Sequence, residues 1–179
     1  MFLSLTPRVY FILIPIVLFL HEMEEWNIVK FHHENYSQQF NETNLSERLW
    51  LFMLSLIGLA FALVSLNIPN SLIANSIFLL LVTFLLINGI QHVLLSVILK
   101  KYNPGFLFGG IIGTSLGFLY VINLIVNNIV PVWIIIAILL AEFIPATIDS
   151  VKSRKEDRLP TMITKILEFS NFVVRKLSE

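Results

Sequence analysis

Residues 9–29 read VYFILIPIVLFLHEMEEWNIV, an apolar run long enough to cross a membrane that ends in a cluster of ionisable side chains. The ionisable residues are His21, Glu22, Glu24 and Glu25. A charged side chain placed in hydrocarbon costs about 3 kcal/mol or more, so it needs a partner, water, a proton or a metal ion. This cluster is therefore the leading candidate for a functional site.

The composition of the whole chain indicates a polytopic membrane protein. Of its 179 residues, 56% are hydrophobic and only 13% are charged, and the mean hydropathy is +0.82. These values are far from those of soluble proteins. The chain has no cysteine, which excludes disulfides, thiolate metal sites and cysteine nucleophiles. Because 12 basic residues balance 12 acidic ones, we expect no nucleic acid partner.

Apolar segments of helical length predict an all-α bundle of about five transmembrane helices, since about 20 residues are needed to cross a bilayer. Turn and capping residues separate the segments, and Asn44 and Glu47 have the spacing of a capping box. Residues 1–150 form the predicted transmembrane domain, and residues 151–179 form a basic linker and an amphipathic helix. The expected spans are residues 8–30, 47–66, 71–99, 106–126 and 131–150.

The basic residues predict the orientation. With five crossings, every Lys and Arg except Arg8 falls on one side of the membrane. The positive-inside rule then places the C-terminus and the loop 31–46 in the cytoplasm and the N-terminus outside. Within that loop, His32, His33 and Glu34 are interpreted as a solvated face. The amphipathic C-terminal helix either lies on the lipid headgroups or packs on the cytoplasmic ends of the bundle.

Polar residues recur at helical spacing on three of the predicted spans, so each span carries one polar stripe. His21, His92 and Glu142 precede the basic residue at the cytoplasmic end of their own span by similar distances along the chain. At a rise of about 1.5 Å per residue, all three lie at a similar depth. We therefore expect one polar pocket in the inner half of the membrane. The stripes are His21, Glu24 and Glu25, then Asn88, Gln91 and His92, then Glu142 and Asp149.

The chemistry of such a pocket points to a divalent metal ion. Carboxylates and imidazoles in a dry pocket repel or titrate unless a cation joins them. A ligand set of nitrogen and oxygen without sulfur suits Zn²⁺, Fe²⁺ or Mn²⁺. We interpret the chain as a metal-dependent enzyme that hydrolyses a lipid or another membrane-soluble substrate. The assigned roles are metal ligation for His21, Glu24, His92 and Glu142, general base for Glu25, and orientation or carbonyl polarisation for Asn88.

Other interpretations of the same residues stay open. The carboxylates would serve equally as a charge relay in a proton- or cation-coupled transporter or channel component. Asn88 and Gln91 suit hydrogen bonding between helices. Glu142 lies close before Pro145 and suits the capping of backbone groups freed by a kink.

The fourth predicted span carries a separate packing signal, the pattern GxxxGxxxG formed by Gly109, Gly113 and Gly117. Glycines on one face let another helix approach closely. We favour packing inside the bundle, with a homodimer through these glycines as the alternative.

The sequence His21-Glu22-Met23-Glu24-Glu25 in this setting resembles the signature of the HXXEE-domain proteins, a mostly bacterial family of integral membrane proteins of unknown function. Asn88 and His92 resemble the second polar motif of that family, and the likeness extends over residues 11–150. The resemblance implies that His21, Glu24, Glu25, Asn88 and His92 form the functional set. It also implies a bacterial cytoplasmic membrane, and it implies no particular reaction.

The glutamate-type CAAX membrane peptidases are similar through Glu24 and Glu25 and through an intramembrane histidine. Their motif continues to an arginine, whereas this chain has Ile28, Val29 and Lys30 in that region. A membrane peptidase of that type is therefore a further alternative.

Overall fold

The structure is a computed structural model that describes residues 6–36 and 43–178. Every regular element in these ranges is a helix, which confirms the predicted all-α class. Residues 37–42 of the predicted cytoplasmic loop lie outside the described residues. The elements are α1 (Pro7–Glu24), α2 (Ile28–Asn35), α3 (Asn44–Asn67), α4 (Ser71–Leu99), a π-helical segment (Phe106–Gly113) that continues as α5 (Thr114–Val126), α6 (Val132–Lys155) and α7 (Thr161–Ser178).

Within the described residues, four helices are long and apolar enough to cross a membrane: α3, α4, the π-helical segment with α5, and α6. Helix α1 has 18 residues, which at about 1.5 Å per residue is close to the thickness of the hydrocarbon layer. The first span was predicted to cover residues 8–30, but the helix ends at Glu24. A turn closes after Glu24, where the Ile28 N–H donates to the Glu25 carbonyl at 2.8 Å, and the chain continues as the short helix α2.

The core at the N-terminal end of α1 is aromatic and apolar. Tyr10 and Phe11 are buried against Phe78 of α4 and Tyr120 of α5. The ring centroids of Phe11 and Phe78 are 4.5 Å apart, and those of Phe78 and Tyr120 are 5.6 Å apart. The Tyr120 hydroxyl lies 3.0 Å from Asn75 Oδ1, which satisfies a polar group that would otherwise be unpaired in the core.

The glycine stripe packs inside the bundle, between α1 and α4. A Cβ atom added to Gly109 would lie 2.5 Å from the His21 ring, and one added to Gly117 would lie 2.8 Å from Leu86. At Gly113 it would lie 2.9 Å from the backbone of the π-helical segment itself. The glycines therefore let this segment approach its neighbours more closely than any side chain would permit.

Helices α6 and α7 lie at the periphery of the bundle. Helix α6 packs on α4, where Gln91 Nε2 donates to Ser150 Oγ at 2.7 Å. Gln91 is thus an interhelical hydrogen-bonding residue. Helix α7 packs on α3 and buries Leu167, while Phe169 and Phe172 on its other face are exposed. Helix α7 thus contacts the bundle through one face and presents an apolar face outward.

Candidate metal centre

Two imidazoles and one carboxylate meet where α1 ends beside α4. His21 lies in the last turn of α1, Glu25 follows that helix directly, and His92 lies on α4; all three are buried. Glu25 Oε1 is 2.8 Å from His92 Nε2 and 3.9 Å from His21 Nε2. The possible ligand atoms of the three side chains lie within 4.8 Å of one another. We call these three residues the primary group.

Two asparagines fix the orientation of the histidine rings. Asn88 Nδ2 lies 2.7 Å from His21 Nε2, and the buried Asn103 places its Nδ2 2.9 Å from His92 Nδ1. Since Asn103 occupies Nδ1 of His92, the other ring nitrogen faces Glu25. An amide N–H donates to the ring nitrogen that it contacts, so these bonds fix the angles of both rings and leave His21 Nδ1 and His92 Nε2 without an asparagine partner. The sequence suggested two roles for Asn88, orientation of a ligand or polarisation of a carbonyl group. Its contact with His21 fits the first of these roles.

A glycine with no room for a side chain completes the primary group. Gly105 follows Pro104 and has φ +89°, a conformation that residues with a Cβ rarely adopt. A Cβ atom at this position would lie 2.6 Å from Glu25 Oε1, from His21 Cε1 and from His92 Cε1. The three side chains therefore converge on the space that the glycine leaves open.

Glu24 lies beside the primary group in the sequence but points elsewhere. Its carboxylate accepts hydrogen bonds from the backbone N–H of Leu107 at 3.0 Å and of Phe108 at 2.8 Å. It also accepts one from the Tyr102 hydroxyl. Desolvation of the hydroxyl group and its hydrogen bond to Glu24 raise the pKa of Tyr102 to about 12, so the hydroxyl stays a donor. A carboxylate at a helix N-terminus satisfies unpaired N–H groups and complements the helix dipole.

Glu142 does not join the primary group either. It is half-buried on α6, which packs on α4 along the side that carries Gln91. Gln91 and His92 are successive residues and lie about 100° apart around α4. The structure brings His21 and His92 together, but the predicted common depth is wrong for Glu142. Ser150 is the residue of α6 that lies level with Gln91, and Glu142 lies about 12 Å from it along the helix.

Three more ligand-type side chains are buried next to the primary group: Glu22, His32 and Glu47. His32 Nδ1 lies 3.5 Å from Glu47 Oε1. Glu22 interacts electrostatically with Glu25 and with Glu47, and His32 does so with Glu25. We call Glu22, His32 and Glu47 the adjacent group.

The interpretation of His32 as part of a solvated face is wrong. Residues 28–35 form α2, which packs on α3 and turns one face inward. The buried positions of α2 are Ile28, Val29, Phe31 and His32, so His32 lies on the apolar side. That spacing was the available signal, and a stretch of only eight helical residues made it weak.

The predicted capping box at the start of α3 is one residue out of register. Thr43 and Ser46 form it, with the Ser46 N–H donating to Thr43 Oγ1 at 3.1 Å and the Thr43 N–H donating to Ser46 Oγ at 3.0 Å. Asn44 and Glu47 therefore do not cap the helix. Because Glu47 does not cap the helix, its side chain is free to lie inside the bundle, where it is buried.

A family model described as a protein of unknown function with HXXEE motif matches residues 12–113, more than half of the chain. The matched region contains the whole primary group and the whole adjacent group. No curated protein and no solved structure matches the chain.

Proposed function

We propose, from the premise that this chain belongs to the HXXEE family, that it is a metal-dependent membrane enzyme. In this proposal His21, Glu25 and His92 bind one divalent ion, and the substrate is a lipid or another membrane-soluble molecule that is hydrolysed. The observation that carries the proposal is the convergence of these three buried side chains, with their possible ligand atoms within 4.8 Å of one another.

The donor set matches the proposed chemistry. Two histidines and one glutamate form the ligand set of several hydrolytic zinc enzymes, in which a fourth position is left open. Nitrogen and oxygen donors also suit Fe²⁺ and Mn²⁺. A bound ion of this kind supplies a water molecule acidified to a pKa of about 7 and polarises the bond to be cleaved.

The surrounding residues position the ligands. Asn88 and Asn103 hold the two imidazole rings, and Glu24 holds the start of the π-helical segment. Glu25, predicted as the general base, lies within the primary group and is assigned to metal binding. Glu24, predicted as a ligand, is assigned to positioning the backbone around Gly105.

The location of the primary group supports a substrate drawn from the membrane. The group lies toward the end of the bundle where α4 stops, with His92 about two turns before that helix ends at Leu99 and is followed by Lys100 and Lys101. The positive-inside rule assigns this end to the cytoplasmic leaflet. We propose a bacterial cytoplasmic membrane with the N-terminus outside and the C-terminus inside. The exposed apolar faces of the long helices would bring a lipid-dissolved substrate to the same depth.

The test of metal binding is elemental analysis of the detergent-purified protein. We expect bound Zn, Fe or Mn in the parent and its loss from the primary group in His21→Ala and His92→Ala. Gln91→Ala is the matched control, because Gln91 precedes His92 on α4 and faces α6. The proposal fails if the correctly folded parent contains no metal after supplementation with each of the three ions.

The test of hydrolysis is separate. Parent and His92→Ala are incubated in vesicles made from bacterial lipids, and the products are followed by mass spectrometry. Metal-dependent release of a headgroup or an acyl chain by the parent alone supports the enzyme. Identical product profiles from the metal-loaded parent and from His92→Ala would contradict the proposed hydrolysis, while the proposed metal binding would still stand.

A further inference from the structure

Helix α7 carries a face that the described part of the bundle leaves exposed. The helix packs on α3 through one side and buries Leu167 and Ser170. On another side Phe169 is 56% exposed and Phe172 is 59% exposed. Neighbouring aromatic side chains that are uncovered on one face indicate a surface that binds something apolar.

Two lysines lie on the same side of α7 as these phenylalanines. Lys165, Phe169, Phe172 and Lys176 follow one another at intervals of four, three and four residues, which places them in one line along a helix. All four are exposed, and we call them the outer stripe. A lysine can lay its aliphatic stem on apolar surface while its ammonium group stays at the polar boundary. The outer stripe therefore fits a surface that has hydrocarbon beneath a charged layer.

A third side of α7 is polar. Glu168 and Arg175 are exposed and lie seven residues apart, so they share a side that is turned roughly 80° from the middle of the outer stripe. The helix thus has one side on the bundle, one polar side and one aromatic and basic side. A helix at the edge of a bundle and at the surface of a bilayer meets protein, water and lipid in the same way.

Helix α7 starts at the depth where the membrane spans end. Its first residue, Thr161, donates from Oγ1 to Asp149 Oδ1 at 2.7 Å. The next residue of α6, Ser150, accepts a hydrogen bond from Gln91 of α4. Gln91 lies about two turns before α4 ends at Leu99. The outer stripe therefore begins close to the headgroup layer of the membrane.

The charge of this region favours anionic lipids over a second copy of the chain. Helix α7 has three basic residues and one acidic residue, and the last turn of α6 adds three basic residues. The positive-inside rule assigns this side to the cytoplasmic leaflet, whose anionic lipids attract basic side chains. Two outer stripes packed symmetrically would bring lysine against lysine in either direction, and like charges in contact oppose association.

We propose that α7 lies in the headgroup layer of the cytoplasmic leaflet and binds anionic lipids through the outer stripe. The two phenylalanine rings enter the boundary of the acyl chains, and the two lysine ammonium groups contact lipid phosphates. The opposite side of the helix stays packed on α3. The proposal takes its side of the membrane from the proposed orientation of the chain, and it requires no bound metal.

The experiment places a spin label on α7 of the full-length protein in vesicles. Because the chain has no cysteine, the cysteine introduced by Phe172→Cys carries the only label. The collision rates of the label are measured with oxygen, which enters the acyl layer, and with a water-soluble nickel chelate. Vesicles of phosphatidylcholine are compared with vesicles that also contain phosphatidylglycerol. Glu168→Cys is the matched control on the polar side of the same helix.

In the vesicles with phosphatidylglycerol, we expect the label of Phe172→Cys to collide mainly with oxygen and that of Glu168→Cys mainly with the nickel chelate. Omitting phosphatidylglycerol should move the first label toward water. Adding Lys165→Gln or Lys176→Gln to Phe172→Cys should do the same. One basic side chain at an anionic surface contributes a factor of about five, so each substitution should shift the equilibrium between lipid and water about fivefold.

Three results would overturn the proposal. The first is the same collision profile for Phe172→Cys and Glu168→Cys. The second is a label in lipid that responds neither to phosphatidylglycerol nor to the two lysine substitutions. The third is dipolar broadening between labels at low protein density, which would show a second copy on the outer stripe. If Phe172→Cys does not fold, Phe169→Cys repeats the measurement on the same stripe.

These outcomes are independent of the proposed enzyme. The collision measurement involves no residue of the primary group, so its failure leaves metal binding and hydrolysis standing. A parent that binds no metal removes the enzyme and leaves the contact of α7 with anionic lipids standing.

Discussion

The two halves of α1 both carry buried side chains, but those of the N-terminal half are aromatic or apolar and those at the C-terminal end are ionisable. The N-terminal half places Tyr10 and Phe11 in an aromatic core with Phe78 and Tyr120. The C-terminal half places His21 and Glu22 in a polar interior that extends to other helices. The first half contributes packing, whereas the second half costs stability unless a cation is bound. One helix thus carries both a part of the aromatic core and a part of the candidate metal centre.

The lipid surroundings sharpen this contrast. Lipid tails are as apolar as the side chains of the core, so the aromatic half gains from close packing and little from escaping water. The polar half faces the full penalty of ionisable groups at membrane depth. Substitutions in the two halves should therefore separate stability from metal binding.

The largest effect is expected at the glycine on which the primary group converges. Gly105→Ala places a Cβ atom 2.6 Å from each of the three ligand side chains and strains a backbone with φ +89°. We expect metal affinity to fall by at least about 100-fold although no ligand is changed, the upper end of effects for residues that orient ligands. Metal titration of the purified variant measures the effect.

The control for that substitution is Gly110→Ala. Its added Cβ meets a Val93 methyl group at 3.0 Å and lies 3.8 Å from His92 Cβ, an ordinary contact, so we expect near-parental affinity. Equal affinity in Gly105→Ala and the parent would show that the three side chains do not act together on one ion.

The next largest effect belongs to the aromatic half. Phe78→Ala leaves a cavity between α1, α4 and α5, and we expect a loss of about 2 kcal/mol in unfolding free energy. This is less than in soluble cores because lipid reduces the transfer contribution. Unfolding in mixed micelles measures it. The number of metal equivalents should not change, and a parallel loss of metal would mean that the two halves are not separable.

The smallest effect is expected at Glu24. Glu24→Gln weakens the hydrogen bonds from Leu107 and Phe108, so we expect a loss of about 1 kcal/mol with metal retained. Thermal unfolding beside the exposed Glu34→Gln measures the difference. Complete loss of metal in Glu24→Gln, as in His92→Ala, would restore Glu24 to the ligand role that the sequence suggested.

The sequence predicted the bundle well because membrane spans are set by length and hydropathy. It also predicted that His21 and His92 lie near each other, because each lies at a similar distance from a span end. The same count fails for Glu142, because α6 continues to Lys155 and meets Gln91 through Ser150, so Glu142 lies about 12 Å away along α6. A depth counted from a basic residue depends on where the span ends, and the direction around the helix axis depends on how the neighbouring helices pack.

The different roles of Glu24 and Glu25 could not be predicted from the sequence, because they too depend on how the helices pack. The two residues are adjacent, and α1 ends between them. Glu24 meets the start of the π-helical segment, while Glu25 turns to His92. The partners of both residues lie far along the chain, so no local pattern separates the two roles. His32 and Glu47 were missed because a short helix and a shifted capping box hid their inward faces.

The distance along the chain between the partners has a consequence for biosynthesis. His92 follows its partner Glu25 by 67 residues, so the acidic end of α1 is translated well before this partner. A nascent α1 is therefore a poor membrane anchor on its own. We expect α1 to reach its final position in the bilayer only after α4 and the π-helical segment have left the ribosome.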